Sequence, residues 1–307
     1  MGTASLSRYL THATLQTSDP WTNPSQQSNK FFALPLDTKQ LAPHPPGGSH
    51  HRGYSAPGLE KVSQHAYDAN EVAKARSTPD CKESFEYGNI SDAMQPNIWL
   101  PESALPGFRA FMESFFVDCA ALVHRILHAL GVALAVPSPG LSPSHSENLF
   151  QLRLLHYPSL PASELDNNKR SRITAHSDFG SLTLLFQDGV GGLEIEDPRQ
   201  PGVFTAVEPV PGAVLVNVGD LMGRWSNDRW KSTVHRVVAP TARNQDVVTA
   251  IVPDRYSIPF FAAPNPATLI EALPGCWDEK NSKNYQSVTA WEYVQKRMAA
   301  LYEDAKE

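Results

Sequence analysis

Between residues 106 and 130 the apolar positions Phe108, Phe111, Phe115, Cys119, Leu122 and Ile126 recur at steps of three and four. That period lays them along one side of a helix, so an amphipathic helix with one buried stripe is expected there. Pro106 stands where a first turn tolerates proline, and Gly131 suits the left-handed residue that ends a helix. Beyond Leu149 the pattern shortens. The runs 150–156, 181–187, 192–196, 204–206, 213–218, 234–238 and 256–262 read as strands, separated by turn formers such as Gly189-Val190-Gly191-Gly192 and Pro211-Gly212. Many short strands at this spacing predict a sandwich or jelly roll, mainly β with flanking helices. A last helix is expected over 288–303, opened by Thr289 and Glu292 as a capping box.

Residues 1–56 are rich in Pro, Gly, Ser, Gln and His. They read as loops plus a short helix around Thr38. The expected organisation is an N-terminal loop and helical region (1–149), a β core (150–265) and a C-terminal helix (266–307) in one structural domain.

Composition narrows the function classes. Of 307 residues, 41% are hydrophobic and 19% charged, with a net charge of −6. That is ordinary for a globular protein and poor for binding a phosphate backbone, so no nucleic-acid partner is expected. Cys81, Cys119 and Cys276 are odd in number and widely spaced. They argue against a disulfide framework or zinc site and for a reducing, cytoplasmic setting. No apolar run reaches the roughly 18–20 residues of a membrane span, so no membrane partner is expected. Residues 1–15 hold several Ser and Thr and no acid, which leaves an organellar presequence as the alternative.

The candidate chemistry lies in three short pieces. His176 and Asp178 are separated by one residue, so on a strand both face the same way. His235 follows His176 by 59 positions, in the strand-like run Val234 to Val238, and can approach the pair from a facing sheet. Two imidazoles and one carboxylate form the ligand set of a non-haem Fe(II) centre that keeps positions open for oxygen and a co-substrate. Arg255 and Ser257 share one face of a further strand. A buried guanidinium needs an anion, and this pair suits the far carboxylate of 2-oxoglutarate. An internal ion pair of Arg255 with Asp254 or Glu208 is the competing reading. His50-His51 reads as solvated loop histidines. His124 and His128 stand at i, i+4 but lack the glutamate of a metalloprotease helix.

With these residues the chain resembles the iron- and 2-oxoglutarate-dependent oxygenases, and within them the isopenicillin-N-synthase-like branch of plant and fungal small-molecule enzymes. Further matching stretches begin at Phe31-Phe32, Arg52-Gly53-Tyr54, Lys82-Glu83, Leu152-Arg153 and Trp225-Ser226-Asn227-Asp228. The resemblance implies a distorted double-stranded β-helix, the jelly roll. It implies Fe(II) at His176, Asp178 and His235, and 2-oxoglutarate at Arg255 and Ser257, with Tyr157 touching the co-substrate. O2 would be the oxidant and a small molecule the substrate.

The chain departs from these relatives at three points. Leu155 stands where they commonly have Asn. Arg255 follows His235 by 20 positions, so an enlarged loop is expected over 241–248. Few residues precede Phe31, so a bare sheet edge is expected, on a monomer or a homodimer. Hydroxylation of a small metabolite, in secondary metabolism by analogy, is the leading expectation. An iron oxidase that does not use 2-oxoglutarate and a non-catalytic jelly-roll binding protein are the alternatives. Phe179, Trp225, Trp230 and Phe260 are the expected pocket walls.

Overall fold

The β-rich stretch folds as two antiparallel sheets in the computed structural model, which describes residues 11–13, 22–46, 50–58, 81–166, 172–240 and 251–302. The major sheet runs, in spatial order, β1 (Thr11–Ala13), β10 (Val214–Val218), β7 (Leu182–Gln187), β13 (Arg255–Ala262), β4 (Gln151–Tyr157), β3 (Glu83–Gly88) and β2 (Gly53–Ser55). The minor sheet runs β6 (Ile173–His176), β11 (His235–Val237), β8 (Leu193–Glu196) and β9 (Phe204–Ala206). Two short pairs stand beside them: β5 (Leu160–Pro161) with β12 (Ile251–Val252), and β14 (Leu269–Ile270) with β15 (Val288–Thr289). The described helices are α1 (Thr22–Phe32), α2 (Leu36–Lys39), α3 (Phe108–Ala133), α4 (Ala162–Asp166), α5 (Asp220–Trp225) and α6 (Ala290–Tyr302).

Each predicted strand is present to within one residue at either end. Strands β2 and β3 lie outside the predicted set. In β3 two carboxylates, Glu83 and Glu86, are buried, so the strand does not read as an apolar run. The expectation of loops over 1–56 also fails at α1, whose residues are mostly polar. Its last turn carries Phe31 and Phe32 into the core, where Phe31 lies 4.5 Å from Phe85 and 5.3 Å from Phe108 between ring centres. The helix around Thr38 is α2. Among the residues before Phe31, Thr11 to Ala13 form β1, which pairs with β10 and stands at one edge of the major sheet. The enlarged loop expected over 241–248 lies outside the described residues.

Side-chain alternation divides the major sheet. Leu152 and Leu154 of β4, Leu184 and Phe186 of β7, and Ile258 and Phe260 of β13 face a core shared with α1 and α3. Their neighbours on the other face, including Leu155, Tyr157 and Leu215, meet Ile173, Leu193 and Val237 of the minor sheet. Burying a large aliphatic or aromatic side chain is worth about 1.5–3 kcal/mol, so both faces contribute to holding the sheet.

Helix α3 is long and apolar enough, by length and composition, to cross a membrane, against the sequence expectation. Phe108, Met112, Phe115, Cys119, Val123 and Leu127 are instead buried in the shared core, with Phe111 and Ile126 at its margin. Gly131 does not end the helix. The left-handed residue is Ala135 (φ 55°), with Val136 N–H donating to Gly131 O and Ala135 N–H to Val132 O at 2.9 and 3.0 Å. This is a Schellman ending placed four residues later than predicted. At α6 the predicted capping box is present: Glu292 N–H donates to Thr289 Oγ1 at 3.2 Å, and Thr289 N–H donates to Glu292 Oε2 at 2.9 Å.

His145, in a short 3₁₀ turn at Ser142–His145, is wholly buried between Leu141 O and Ser181 Oγ. Burial pushes its pKa down from 6.5 to about 4, against the opposing pull of the Leu141 carbonyl. The unfolded chain takes up this proton near pH 6.5, the folded one only near pH 4. Stability from the neutral ring is therefore complete above about pH 6.5 and is lost as pH falls toward 4, to the extent of about 3 kcal/mol. Urea unfolding between pH 7 and pH 4 should show that loss in the native chain and not in His145→Asn. Equal pH dependence of the two would contradict it.

Candidate active site

Strand β6 ends at His176, and β11 begins at His235, which pairs directly with it. Asp178 lies in the turn after β6 rather than on the strand. The turn is tied to α5 instead: Asp220 N–H donates to Asp178 O at 2.8 Å and Leu221 N–H to Gly180 O at 3.1 Å. The approach requires glycines, because a Cβ on Gly219 would stand 2.3 Å from Gly180 O, and one on Gly180 would stand 2.2 Å from Ala262 O.

The two imidazoles lie 4.3 Å apart between centres, and His235 Nε2 is 3.8 Å from Asp178 Oδ1. One ligand atom from each of the three residues falls within 4.8 Å of the others. His176 Nδ1 donates to Thr174 O at 2.8 Å and His235 Nδ1 to Thr233 O at 2.9 Å. A carbonyl only accepts, so both rings carry their proton on Nδ1 and present a basic Nε2. Asp178 Oδ2 accepts from Thr183 Oγ1 at 2.6 Å and from Asn217 Nδ2 at 2.8 Å, which turns Oδ1 toward the imidazoles. Burial alone would push this carboxyl up. His235, His176 and the two hydrogen bonds outweigh it and hold the group below its ordinary value. The set brings two imidazole nitrogens and one carboxylate oxygen together, a donor set that suits Fe(II).

Arg255 is 1% exposed. It donates to Gly191 O (3.0 Å), Ser257 Oγ (3.1 Å) and Gln187 Oε1 (3.1 Å). Among the described residues no carboxylate pairs with it. Asp254 faces the other side of the sheet and meets His156 Nε2 at 2.8 Å, which removes one proposed internal partner. A buried guanidinium with only neutral acceptors is a strong site for an anion. Tyr157 pairs with Arg255 across the strands, and its ring centre lies 5.0 Å from that guanidinium and 5.7 Å from the buried Arg172. Leu155 pairs with Ser257 and adds no hydrogen bond.

Both groups open into one cavity of about 290 Å³ between the sheets. Gln151, Arg153, Phe179, Phe261 and Trp291 also line it. Phe179 is where the sequence places it. Trp225, Trp230 and Phe260 are not. Phe260 alternates to the helix side of β13, and Trp225 and Trp230 pack in that same core. Phe261 and Trp291 take their place. His51 is half-buried at the cavity rim rather than solvated, with Nδ1 3.4 Å from Glu86 Oε2. His44, His51 and Glu86 form a second close set, but Arg153 and Gln151 already hold that carboxylate. His124 meets Asn148 Oδ1 at 2.7 Å, while His128 is exposed.

Three polar side chains that hold Asp178 and Arg255, namely Thr183, Asn217 and Gln187, do not stand out in the sequence. The signal was a polar residue on the inward beat of an otherwise apolar strand, as in Val214-Leu215-Val216-Asn217-Val218.

A family model described as the 2OG-Fe(II) oxygenase superfamily matches residues 149–264, and one described as the N-terminal part of a non-haem dioxygenase in morphine synthesis matches residues 17–102. A 2-oxoglutarate-dependent dioxygenase of Dothideomycetidae sp. (strain 11243) is 42% identical over 90% of this chain and 82% of its own length. A proline hydroxylase of Petromyces alliaceus is 40% identical over 89% and 82%. The crystal structure of a full-length Neurospora crassa protein in complex with alpha-KG and thymine superposes with a TM-score of 0.82 at 37% identity, covering 95% of this chain and 87% of that one. The relatives and the fold thus agree with the chemistry of the cavity, and the chain belongs to the 2OG-Fe(II) oxygenase superfamily as a non-haem iron, 2-oxoglutarate-dependent dioxygenase.

Proposed function

We propose that this enzyme oxidises a C–H bond of a small cyclic metabolite in secondary metabolism, with His176, Asp178 and His235 holding Fe(II) and Arg255, Ser257 and Gln187 holding the far carboxylate of 2-oxoglutarate. The observation that carries the reading is a buried guanidinium without a carboxylate partner, facing the same cavity as the His, Asp and His ligand atoms. The proline hydroxylase relative and the thymine complex of the Neurospora crassa protein favour a small ring as substrate. The cavity volume of about 290 Å³ is in keeping with that size. Three buried free thiols are in keeping with a cytoplasmic setting.

When bound, Fe(II) with O2 and 2-oxoglutarate supplies the oxidising power, the co-substrate leaving as succinate and CO2. The chain's own residues do the positioning. Nε2 of His176, Nε2 of His235 and Oδ1 of Asp178 would hold Fe(II) at the wall of the cavity. Arg255, with Ser257 beside it, fixes the end of the co-substrate remote from the metal, so that binding free energy is used for orientation. Tyr157 forms the floor beneath that guanidinium. Leu155, Leu185 and Leu215 line the space between and exclude water.

Two outcomes are expected. Titrating 2-oxoglutarate into the anaerobic Fe(II) protein should give a saturable visible charge-transfer band. Arg255→Ala should weaken that titration at least about 30-fold with iron content unchanged. A band unaffected by Arg255→Ala would move the co-substrate elsewhere. Asn217→Ala and Thr183→Ala should each lower Fe(II) affinity by about 10–100-fold while the thermal midpoint changes little, because each removes a bond that aims Asp178 Oδ1. Unchanged metal affinity in both would contradict that role.

A further inference from the structure

A cross-strand row of the major sheet, Asn217, Thr183, Phe261 and Gln151, runs across the cavity floor. The His176, Asp178 and His235 set stands over its Asn217–Thr183 end, through Asp178. Gln151 lies two strands beyond Thr183, about 10 Å away at about 4.8 Å per strand. Arg153 follows Gln151 on the same face of β4 and also borders the cavity, with its side chain 16% exposed. A second guanidinium therefore stands one small molecule's length from the metal. It is four residues along β4 from Tyr157, the partner of Arg255, or about 13 Å of strand. Arg255 and Arg153 thus serve different ends of the cavity.

Arg153 is held from behind. Its cross-strand partner is Glu86, 0% exposed, whose Oε1 forms an ion pair with Arg153 Nη2. Glu86 Oε2 accepts from Gln151 Nε2 at 2.6 Å, and His51 stands 3.4 Å from it. The Phe261 ring lies 6.0 Å from the guanidinium, and Phe179 and Trp291 add apolar wall. A planar donor fork, paired with a buried carboxylate and bordered by the Phe261 ring, matches a flat acceptor group on a compact molecule. The Glu86 charge balances that of Arg153, so the partner need not be an anion.

We propose that Arg153, oriented by Glu86, binds a planar hydrogen-bond acceptor of the substrate, a carboxylate or a ring carbonyl, and so selects the substrate at the site assigned above. This deepens the proposed function and rests on it for the position of the metal. Gln151, carried by the same carboxylate, sits beside the acceptor. The ring of the substrate lies against Phe261 and Phe179, with Trp291 of α6 at the mouth.

Calorimetric titration tests this without turnover. The probes are L-proline against pyrrolidine, which lacks the carboxylate, and thymine against toluene, which lacks the ring carbonyls. They are titrated into the native chain, Arg153→Gln and Arg153→Lys, each loaded anaerobically with Fe(II) and 2-oxoglutarate. Arg153→Lys keeps a cation for Glu86 and drops the fork, so it guards against a variant that fails to fold. The expected result is that one acceptor-bearing probe binds the native chain and binds both variants at least about 30-fold more weakly. Its acceptor-free analogue should not distinguish the three proteins. Binding of L-proline assigns a carboxylate, and binding of thymine a ring carbonyl. Equal binding of an acceptor-bearing probe to the native chain and Arg153→Lys, or binding of neither acceptor-bearing probe, overturns the proposal. The affinity for 2-oxoglutarate, titrated separately, should stay within about 2-fold in both variants. Failure of the native chain to bind 2-oxoglutarate would count against the co-substrate site, and the probe comparison, repeated on the Fe(II) protein alone, would still decide the role of Arg153.

Discussion

Along β13 the side chains of Arg255, Ser257, Pro259 and Phe261 point into the space between the sheets, while Tyr256, Ile258, Phe260 and Ala262 point to the helices. A strand offers no third direction, and a slip of one residue would exchange the two sets. The helix-side set fixes the register: Ile258 and Phe260 are fully buried against α3 and its neighbours. The same alternation on β4, β7 and β10 brings Tyr157, Arg153, Thr183, Gln187 and Asn217 to the cavity face. The polar site is thus held in place by the apolar packing behind it.

Charge is then arranged on that face in three different ways. Asp178 is stabilised as an anion by two imidazoles and two neutral donors. Arg255 has only neutral acceptors, so it demands a ligand. Arg153 is neutralised by Glu86 and keeps its geometry without demanding a charge. On the opposite face Glu83 is saturated by Lys39, Tyr54 and His156 at 2.6–2.7 Å, a network that joins α2, β2, β3 and β4 and faces away from the cavity. Two buried carboxylates in one six-residue strand therefore do different work, one structural and one at the cavity.

Much of this was legible in the sequence. The jelly-roll class follows from short alternating runs with turn residues between them. The His, Asp, His and Arg–Ser pieces stood out because those residue types are costly to bury without a purpose. The supporting shell was harder to read. Thr183, Gln187 and Asn217 are single polar residues inside apolar strands, and only the cross-strand register shows what they touch. Trp225, Trp230 and Phe260 were misplaced because aromatic character does not reveal which face a residue occupies. Helix α1 was hidden by its polar composition, since its hold on the core is concentrated in Phe31 and Phe32. The Schellman ending at Ala135 was displaced from Gly131 because tertiary packing, not glycine alone, sets where α3 stops.

Anaerobic crystallography of the Fe(II) and 2-oxoglutarate complex, with diffraction recorded at the iron absorption edge, would locate both the metal and the co-substrate. One strong anomalous peak is expected, bonded to Nε2 of His176, Nε2 of His235 and Oδ1 of Asp178, with the remote carboxylate of 2-oxoglutarate on Arg255 and Ser257. A peak at His44, His51 and Glu86 instead, or a carboxylate seated away from Arg255, would contradict it.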